Sequence, residues 1–360
     1  MMNKSDIEWC DFSWNPITGC LHDCSYCYAR KQAQRFCGDI RLNKSSEQLT
    51  WITSRIRYDS QIHNIYALDE PFKNESGRTI PLPAGFDPTF HKYRLPMPAQ
   101  KKKPANIFVG SMADVFGEWV PDEWIKEVFS ACAAAPWHNY LFLTKNPARF
   151  QDVFLIQSLH ITKNMWFGFS VTDQKHLNET AMAAKWLPQN SFISVEPIHG
   201  EIDLTRIESS GIDAFLNFLD GGQYWFMGGN KDGKRLRWVI VGAETGQRRE
   251  KVTPLKQWIE KIVRDCRGTG VPVLLKDSNE MMTVWGEDLI KEYPTELQRK
   301  EIIIPHCHEC KHLKATERHV DPRKGTTAMN CFCTAGIAHK RIGGRYARTS
   351  PPWCPKRGAE

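Results

Sequence analysis

Asn106-Ile-Phe-Val-Gly-Ser111, followed after Pro121 by the stripe Trp124, Ile125, Val128, Phe129 and Cys132, reads as one strand and one helix in succession. An apolar run without alternation is what a strand buried on both faces shows. The stripe recurs at helical spacing up to Ala135, and Pro121 suits a first helical turn. The pattern spreads outward from this unit. Downstream come strand Tyr140 to Thr144 then helix, strand Met165 to Val171 then helix to Leu187, and strands Phe192 to Val195 and Trp238 to Gly242. A helix from Pro254 to Cys266 follows, with Thr253 as cap, Leu255, Trp258, Ile259, Ile262 and Val263 facing inward and Gly268 as stop, and then strand Val271 to Leu275. Upstream, Phe12 to Thr18 is extended and Tyr28 to Phe36 is helical. Repeated βα units predict an α/β fold, a full or partial parallel (β/α) barrel or an open sheet, with its functional loops beyond the strand carboxyl ends.

Two stretches interrupt the alternation. Residues 38–104 hold seven prolines from Pro71 to Pro104 and the run Lys101-Lys102-Lys103, and read as an irregular insertion over the surface. Residues 209–235 carry Asp220-Gly-Gly and Gly228-Gly-Asn and read as a second insertion, with the turn residues of a hairpin. At 360 residues the chain exceeds what one core usually supports, so a large domain over 1–299 and an appendage over 300–360 are expected.

The strand ends form a census of polar groups: Ser111 and Asp114, Lys145, Ser170 and Thr172, Glu196, Glu244, and Lys276. One polar strand end has an ordinary explanation in solvent; six in succession point to an assembled site on one rim. The segment that meets this rim after the first strand is Cys20-Leu-His-Asp-Cys24-Ser-Tyr-Cys27. Three thiolates in so short a loop fit three corners of a four-iron cluster and leave one iron open. The competing reading is a structural zinc, which needs a fourth ligand. His22 is poorly placed for that, whereas Cys10 and Cys37 are available from outside the loop.

Composition is that of a globular protein, 41% hydrophobic and 25% charged, and excludes a disordered chain. No apolar run approaches the roughly 20 residues of a membrane span, and Met1 to Glu8 is polar, so a cytoplasmic location without membrane contact is expected. Twelve cysteines in that compartment point to metal or redox chemistry rather than disulfides. Residues 300–360 hold 12 Lys or Arg against 5 Asp or Glu, which accounts for the whole formal charge of +7. A basic tail is a footprint for DNA or RNA, or simply a solvated surface. Within it, Cys307, Cys310, Cys331, Cys333 and Cys354 supply a metal-binding module, with His306, His308 and His312 as substitutes. Zinc is the expected metal, and an auxiliary iron–sulfur cluster is the rival.

Cys20-x3-Cys24-x2-Cys27 with Tyr26 resembles the signature of the radical S-adenosylmethionine superfamily. The flanking text, Ile7 to Cys20, Tyr28-Ala29, Val109 to Phe116, Leu143-Thr-Lys145, Ser194-Val-Glu-Pro197 and Val241-Gly-Ala-Glu244, is similar to a phage-associated radical-SAM-like family, over about residues 5–280. Cys10 stands where that family usually has Thr and reads as a small buried residue. The resemblance implies a radical-SAM barrel, a 4Fe-4S cluster on Cys20, Cys24 and Cys27, S-adenosyl-L-methionine as cofactor, and a donor such as flavodoxin or ferredoxin. By position it implies that Ser111 and Asp114 receive the methionine ammonium, Ser170 and Thr172 the ribose, and Tyr26 the adenine. Glu196, Glu244 and Lys276 are then the catalytic or substrate-facing candidates. The expected function is an enzyme generating a 5'-deoxyadenosyl radical to repair or modify nucleic acid or a nucleotide, DNA repair included. The alternatives are a radical enzyme for a peptide or small molecule, with an auxiliary cluster in the tail, and a non-enzymatic zinc-containing nucleic-acid-binding protein.

Overall fold

The computed structural model describes residues 2–55, 62–155, 159, 161–180, 187–208, 214–225, 228–230, 235–246 and 248–298, and beyond these the backbone of 313–321, 326–333 and 340–342. The chain divides into two compact units, Met1–Leu297 and Gln298–Glu360.

The first unit is built on an eight-stranded sheet whose spatial order follows the chain: β1 (Met2–Lys4), β2 (Phe12–Trp14), β3 (Asn106–Val109), β4 (Asn139–Thr144), β5 (Met165–Val171), β6 (Ser191–Val195), β7 (Trp238–Val241) and β8 (Val273–Leu275). β1 pairs antiparallel with β2, and every later pair is parallel. When each crossover follows the usual right-handed rule, parallel neighbours in sequential order put their helices on one face. These are α1 (Tyr28–Phe36), α2 (Asp122–Ala133), α3 (Arg149–Phe154), α4 (Gln174–Glu179), α5 (Lys256–Thr269) and α6 (Asn279–Trp285).

The alternation of side chains along each strand separates two cores. Ile107, Val109, Tyr140, Phe142, Phe167, Ile193, Val239 and Val273 pack with the helix stripes, among them Ile125, Val128 and Phe129 of α2 and Ile259 and Ile262 of α5. Phe108, Leu141, Trp166, Phe192, Trp238, Ile240 and Leu274 point the other way and close over Trp9, Cys10 and Leu297. Trp9 shows that the sheet curls. Its ring lies 4.6 Å from Phe108 on β3 and 6.2 Å from Phe192 on β6, strands that a flat sheet would hold about 14 Å apart. Glu8 also reaches the far edge of the sheet, accepting the Asp277 N–H at 2.9 Å and pairing with Lys291. Among the described residues no ladder joins β8 back to β1 or β2.

The local reading of α5 needs correction at both ends. The helix begins after Leu255, which is extended and makes no side-chain cap, so Thr253 does not serve as cap. It runs through Gly268 and stops at Gly270, whose φ of +68° is the left-handed turn a glycine accepts. Residues 38–104 also differ from expectation. Thr50–Arg55, Ile62–Leu68, Thr89–His91 and Ile17–Thr18 form a four-stranded sheet, with Leu49, Tyr66, Leu68, Phe72 and Ile80 as its own small core. Its strands come from distant parts of the chain and the prolines lie outside them, so no local periodicity announced it. The second insertion extends the expected hairpin: Ile207–Glu208, Ala214–Asn217, Gly222–Trp225 and Gly228–Asn230 form a four-stranded antiparallel sheet.

In the second unit Leu313–Asp321, Thr326–Cys333 and Lys340–Ile342 form an antiparallel sheet. Cys331 and Cys333 lie two residues apart on its middle strand, in register with Ala315 and Leu313 on one side and Ile342 and Lys340 on the other. Cys307, Cys310 and Cys354, with His306, His308 and His312, lie outside the described residues. No described helix is long and apolar enough to cross a membrane.

Candidate metal-loop site on the carboxyl rim

β2 hands the chain to the end of β3 through a short series of bonds. Asn15 exchanges hydrogen bonds with the Ser111 hydroxyl and accepts the Met112 N–H at 2.9 Å. Gly19 then donates its N–H to the Met112 carbonyl at 2.8 Å. Its φ is +86°, and a Cβ there would sit 2.3 Å from the Asp87 carbonyl oxygen, so this position requires glycine. Cys20 therefore enters its loop beside the β3 carboxyl end.

The loop is gripped by the residues between its cysteines. His22 Nε2 lies 2.7 Å from Asp114 Oδ2, just beyond β3, and its ring edge meets Trp119. Tyr26 accepts a hydrogen bond from Lys145 Nζ at 2.9 Å, just beyond β4, and the same ammonium lies 5.0 Å from the centre of the tyrosine ring. Asp114 ties both sides together, because it also accepts the N–H groups of Lys145 at 2.8 Å and Phe116 at 3.0 Å. Burial raises the Asp114 pKa, but His22, the Lys145 N–H and Thr144 outweigh it and hold the carboxyl below the ordinary aspartate value. Cys27 closes the loop as N-cap of α1, its Sγ accepting the Arg30 N–H at 3.4 Å.

The thiols respond to one another. Burial, with the Asp114 carboxylate second and Cys24 and Cys27 further contributors, pushes the Cys20 thiol to about 12. Burial also raises Cys24, opposed by the Lys145 charge and reinforced by Cys27. The three sulfurs are thus in electrostatic reach of each other, although among the described residues no group of three or more His, Cys, Asp or Glu is gathered around a metal position. A shared metal requires the three side chains to turn inward. Further protein ligands are badly placed. His22 is committed to Asp114. Cys37 caps the opposite end of the nine-residue α1, about 15 Å along the helix from Cys27. Cys10 is 1% exposed and packs beside Trp9 in the inner core. The donor set suits a centre with three protein ligands and one open position better than a closed tetrahedral zinc.

Across the rim, the strand ends mostly pair with each other. Lys276 is bonded to Glu196, and Gly242 leaves the space for it, since a Cβ there would lie 2.8 Å from Glu196 Cγ. Glu244 accepts two hydrogen bonds from Arg248 at 2.6 and 2.8 Å, lies 3.1 Å from His199 Nε2, and accepts the Val252 N–H. Arg248 is the main reason its carboxyl is lowered to about 2; burial opposes this, and His199 and the Val252 N–H reinforce it. His199 donates its backbone N–H to the Thr172 carbonyl at 2.7 Å and stands edge-on to Tyr26, centroids 5.8 Å apart. Ser170 is buried on the inner parity of β5. Beside it in register, Ser194 is also buried, and its hydroxyl makes no hydrogen bond among the described residues.

The expected residues therefore fall into two linked groups. Cys20, Cys24, Cys27, Tyr26, Ser111, Asp114 and Lys145 come together at β3 and β4; Ser170, Thr172, Glu196, Glu244 and Lys276 line the rest of the rim. Ser111 and Asp114 do not fit the role of ammonium receptor. The Ser111 hydroxyl is held by Asn15 and its carbonyl by Tyr28, and Asp114 is 4% exposed with its oxygens engaged inside the protein. Sequence reading passed over His22 as an anchor and over His199 and Arg248 altogether, and gave Tyr28 no role at the site. Only Arg248, four residues after Glu244, carried a sequence signal.

No curated protein and no solved structure matches the chain. A family described as protein of unknown function (DUF5131) matches residues 4–330, reaching past the first unit into the second. With nearly its whole length covered, the chain belongs to that family.

Proposed function

We propose that this chain is a cytoplasmic radical-SAM iron–sulfur enzyme that acts on nucleic acid or a nucleotide, with the curled sheet serving as a partial (β/α) barrel and the second unit as a metal-binding module. The observation that carries the reading is the docking of the three-cysteine loop onto the strand carboxyl ends by its own His22 and Tyr26. Those strand ends are where parallel α/β folds place their chemistry. Cys20, Cys24 and Cys27 are the residues that would hold a 4Fe-4S cluster, with S-adenosyl-L-methionine as the cofactor it would bind. When bound, this pair supplies a 5'-deoxyadenosyl radical after one electron from a flavodoxin or ferredoxin.

The chain's own residues supply the rest. Trp166, Phe192 and Trp238 form a dry floor. Above it, Ser170 and Thr172 are the ribose candidates, and the buried Ser194 hydroxyl, without a partner among the described residues, is a further one. Glu196 and Lys276, each about one-quarter exposed, present an acceptor and a donor to the substrate. The basic residues of 300–360 favour a polyanionic partner.

Anaerobic reconstitution with iron and sulfide tests the centre. The wild-type chain is expected to bind about four irons and to release 5'-deoxyadenosine with dithionite; Cys24→Ala is expected to lose both. Full iron content and full cleavage in Cys24→Ala would sink the reading. In the same preparations, affinity for DNA or RNA that does not fall with added salt removes the nucleic-acid assignment.

A further inference from the structure

Lys145 stands out among the rim cations. Lys276 faces Glu196, Arg248 faces Glu244 and Lys251 faces Glu280. The Lys145 ammonium, among the described residues, has no carboxylate partner; its hydrogen bond is to the neutral Tyr26 hydroxyl. The nearest acid, Asp114, takes the Lys145 backbone N–H and turns its other contacts to His22 and Phe116. Tyr26 in turn sits between Cys24 and Cys27, so the cation is aimed at the cysteine loop.

A partly buried ammonium without a counter-ion is costly unless an anion completes its surroundings. Burial pulls the Lys145 pKa down, yet Tyr26, Cys24 and Asp114 together hold it above the ordinary lysine value, so the group stays charged. Three thiolates outweigh the charge of a four-iron core, which makes a loaded loop anionic and more so once reduced. Reduction potentials of such centres follow net charge and hydrogen bonding around the sulfurs.

We propose that Lys145 is a positioning residue that holds Tyr26 and sets the reduction potential of the metal centre on Cys20, Cys24 and Cys27 by placing one uncompensated positive charge beside Cys24. This rests on the iron–sulfur reading of the loop. It assigns Lys145 to the cluster and not to the substrate.

The test is a spectroelectrochemical titration of the anaerobically reconstituted full chain, with iron content and melting temperature measured alongside. Lys145→Met keeps the aliphatic stem and removes the charge; the midpoint potential of the fraction that loads iron is expected to move negative, with any loss of iron content or melting temperature read separately as loss of the grip on Tyr26. Lys145→Arg is expected to restore the potential. Tyr26→Phe, which leaves the charge but frees it from its anchor, is expected to move the potential in the same direction by less, and it carries the test if Lys145→Met does not fold. An unchanged potential in the variants that load iron overturns the inference and leaves the iron–sulfur reading standing. Equal shifts in Lys145→Met and Lys145→Arg also overturn it, since the side chain's shape and not its charge would then be responsible. A wild-type chain that takes up no iron and sulfide overturns both.

Discussion

The two halves of the rim use charge differently. At β3 and β4 the charged groups hold a loop: Asp114 is buried and spends its oxygens on His22 and two backbone N–H groups, and Lys145 holds Tyr26. At β6 to β8 the charges hold each other, Glu196 with Lys276 and Glu244 with Arg248, and the first pair stays open to water. One half has the architecture of a mount and the other of a lining. His199 spans them, bonded to Glu244 and packed against Tyr26. The difference bears on assignment: a buried group whose polar atoms are all engaged, such as Asp114, acts through what it holds, and ligand-facing groups are those with exposed or unengaged polar atoms.

The sharpest way to break this comparison is at Asp114. Asp114→Ala leaves two backbone N–H groups and His22 without their acceptor inside the protein. Removing one partner from such a buried network costs about 3–5 kcal/mol, so the urea-unfolding free energy is expected to fall by that amount and iron uptake to fall with it. A loss within error of zero means that the loop is not mounted on this carboxylate.

Much of this was legible where geometry is local. Met165–Val171 and Tyr28–Phe36 have the bounds that their residues announce, because an unbroken apolar run and a helical face are local patterns. The strand-end census also found the rim. The small sheet of Ile17–Thr18, Thr50–Arg55, Ile62–Leu68 and Thr89–His91 was not legible, because partners as far apart as Ile17 and Phe90 pair in it and no period links them. Nor was the division of the rim. Whether an aspartate faces a ligand or a neighbouring histidine depends on side-chain direction, and a sequence shows only that Asp114 follows a strand. His199 was missed for the same reason: it lies past the cis bond between Glu196 and Pro197, outside any repeat.

Glu244 provides a test of intermediate size. Its carboxyl is lowered from 4.5 to about 2, chiefly by Arg248. A depressed folded pKa contributes stability that is fully present above the unfolded value and is lost as pH falls through the folded one. The window is therefore pH 4.5 down to about 2. Because Arg248 is open to solvent, which screens the pair, the contribution is smaller than the loss expected at Asp114. Glu244→Gln is expected to lack this component, so the gap in unfolding free energy between wild type and variant should narrow across that window. A constant gap means that the carboxylate is not held by its charge.

The smallest effect is expected at the open pair. Glu196 and Lys276 are 27% and 25% exposed, so water replaces most of what each loses when its partner is removed, and such pairs contribute about 0–1 kcal/mol. Lys276→Met is expected to change the unfolding free energy by less than about 1 kcal/mol and to leave iron content unchanged, because the bond that Lys276 makes is to Glu196 and not to the loop that carries Cys20, Cys24 and Cys27. The measurements are those used for Asp114→Ala, which makes the pair a direct contrast. If Lys276→Met were as damaging as Asp114→Ala, the far half would be a mount as well. Glu196 and Lys276 would then have to be read as structural groups, leaving the buried Ser194 hydroxyl, which has no partner among the described residues, as the polar atom of the inner face free to meet a ligand.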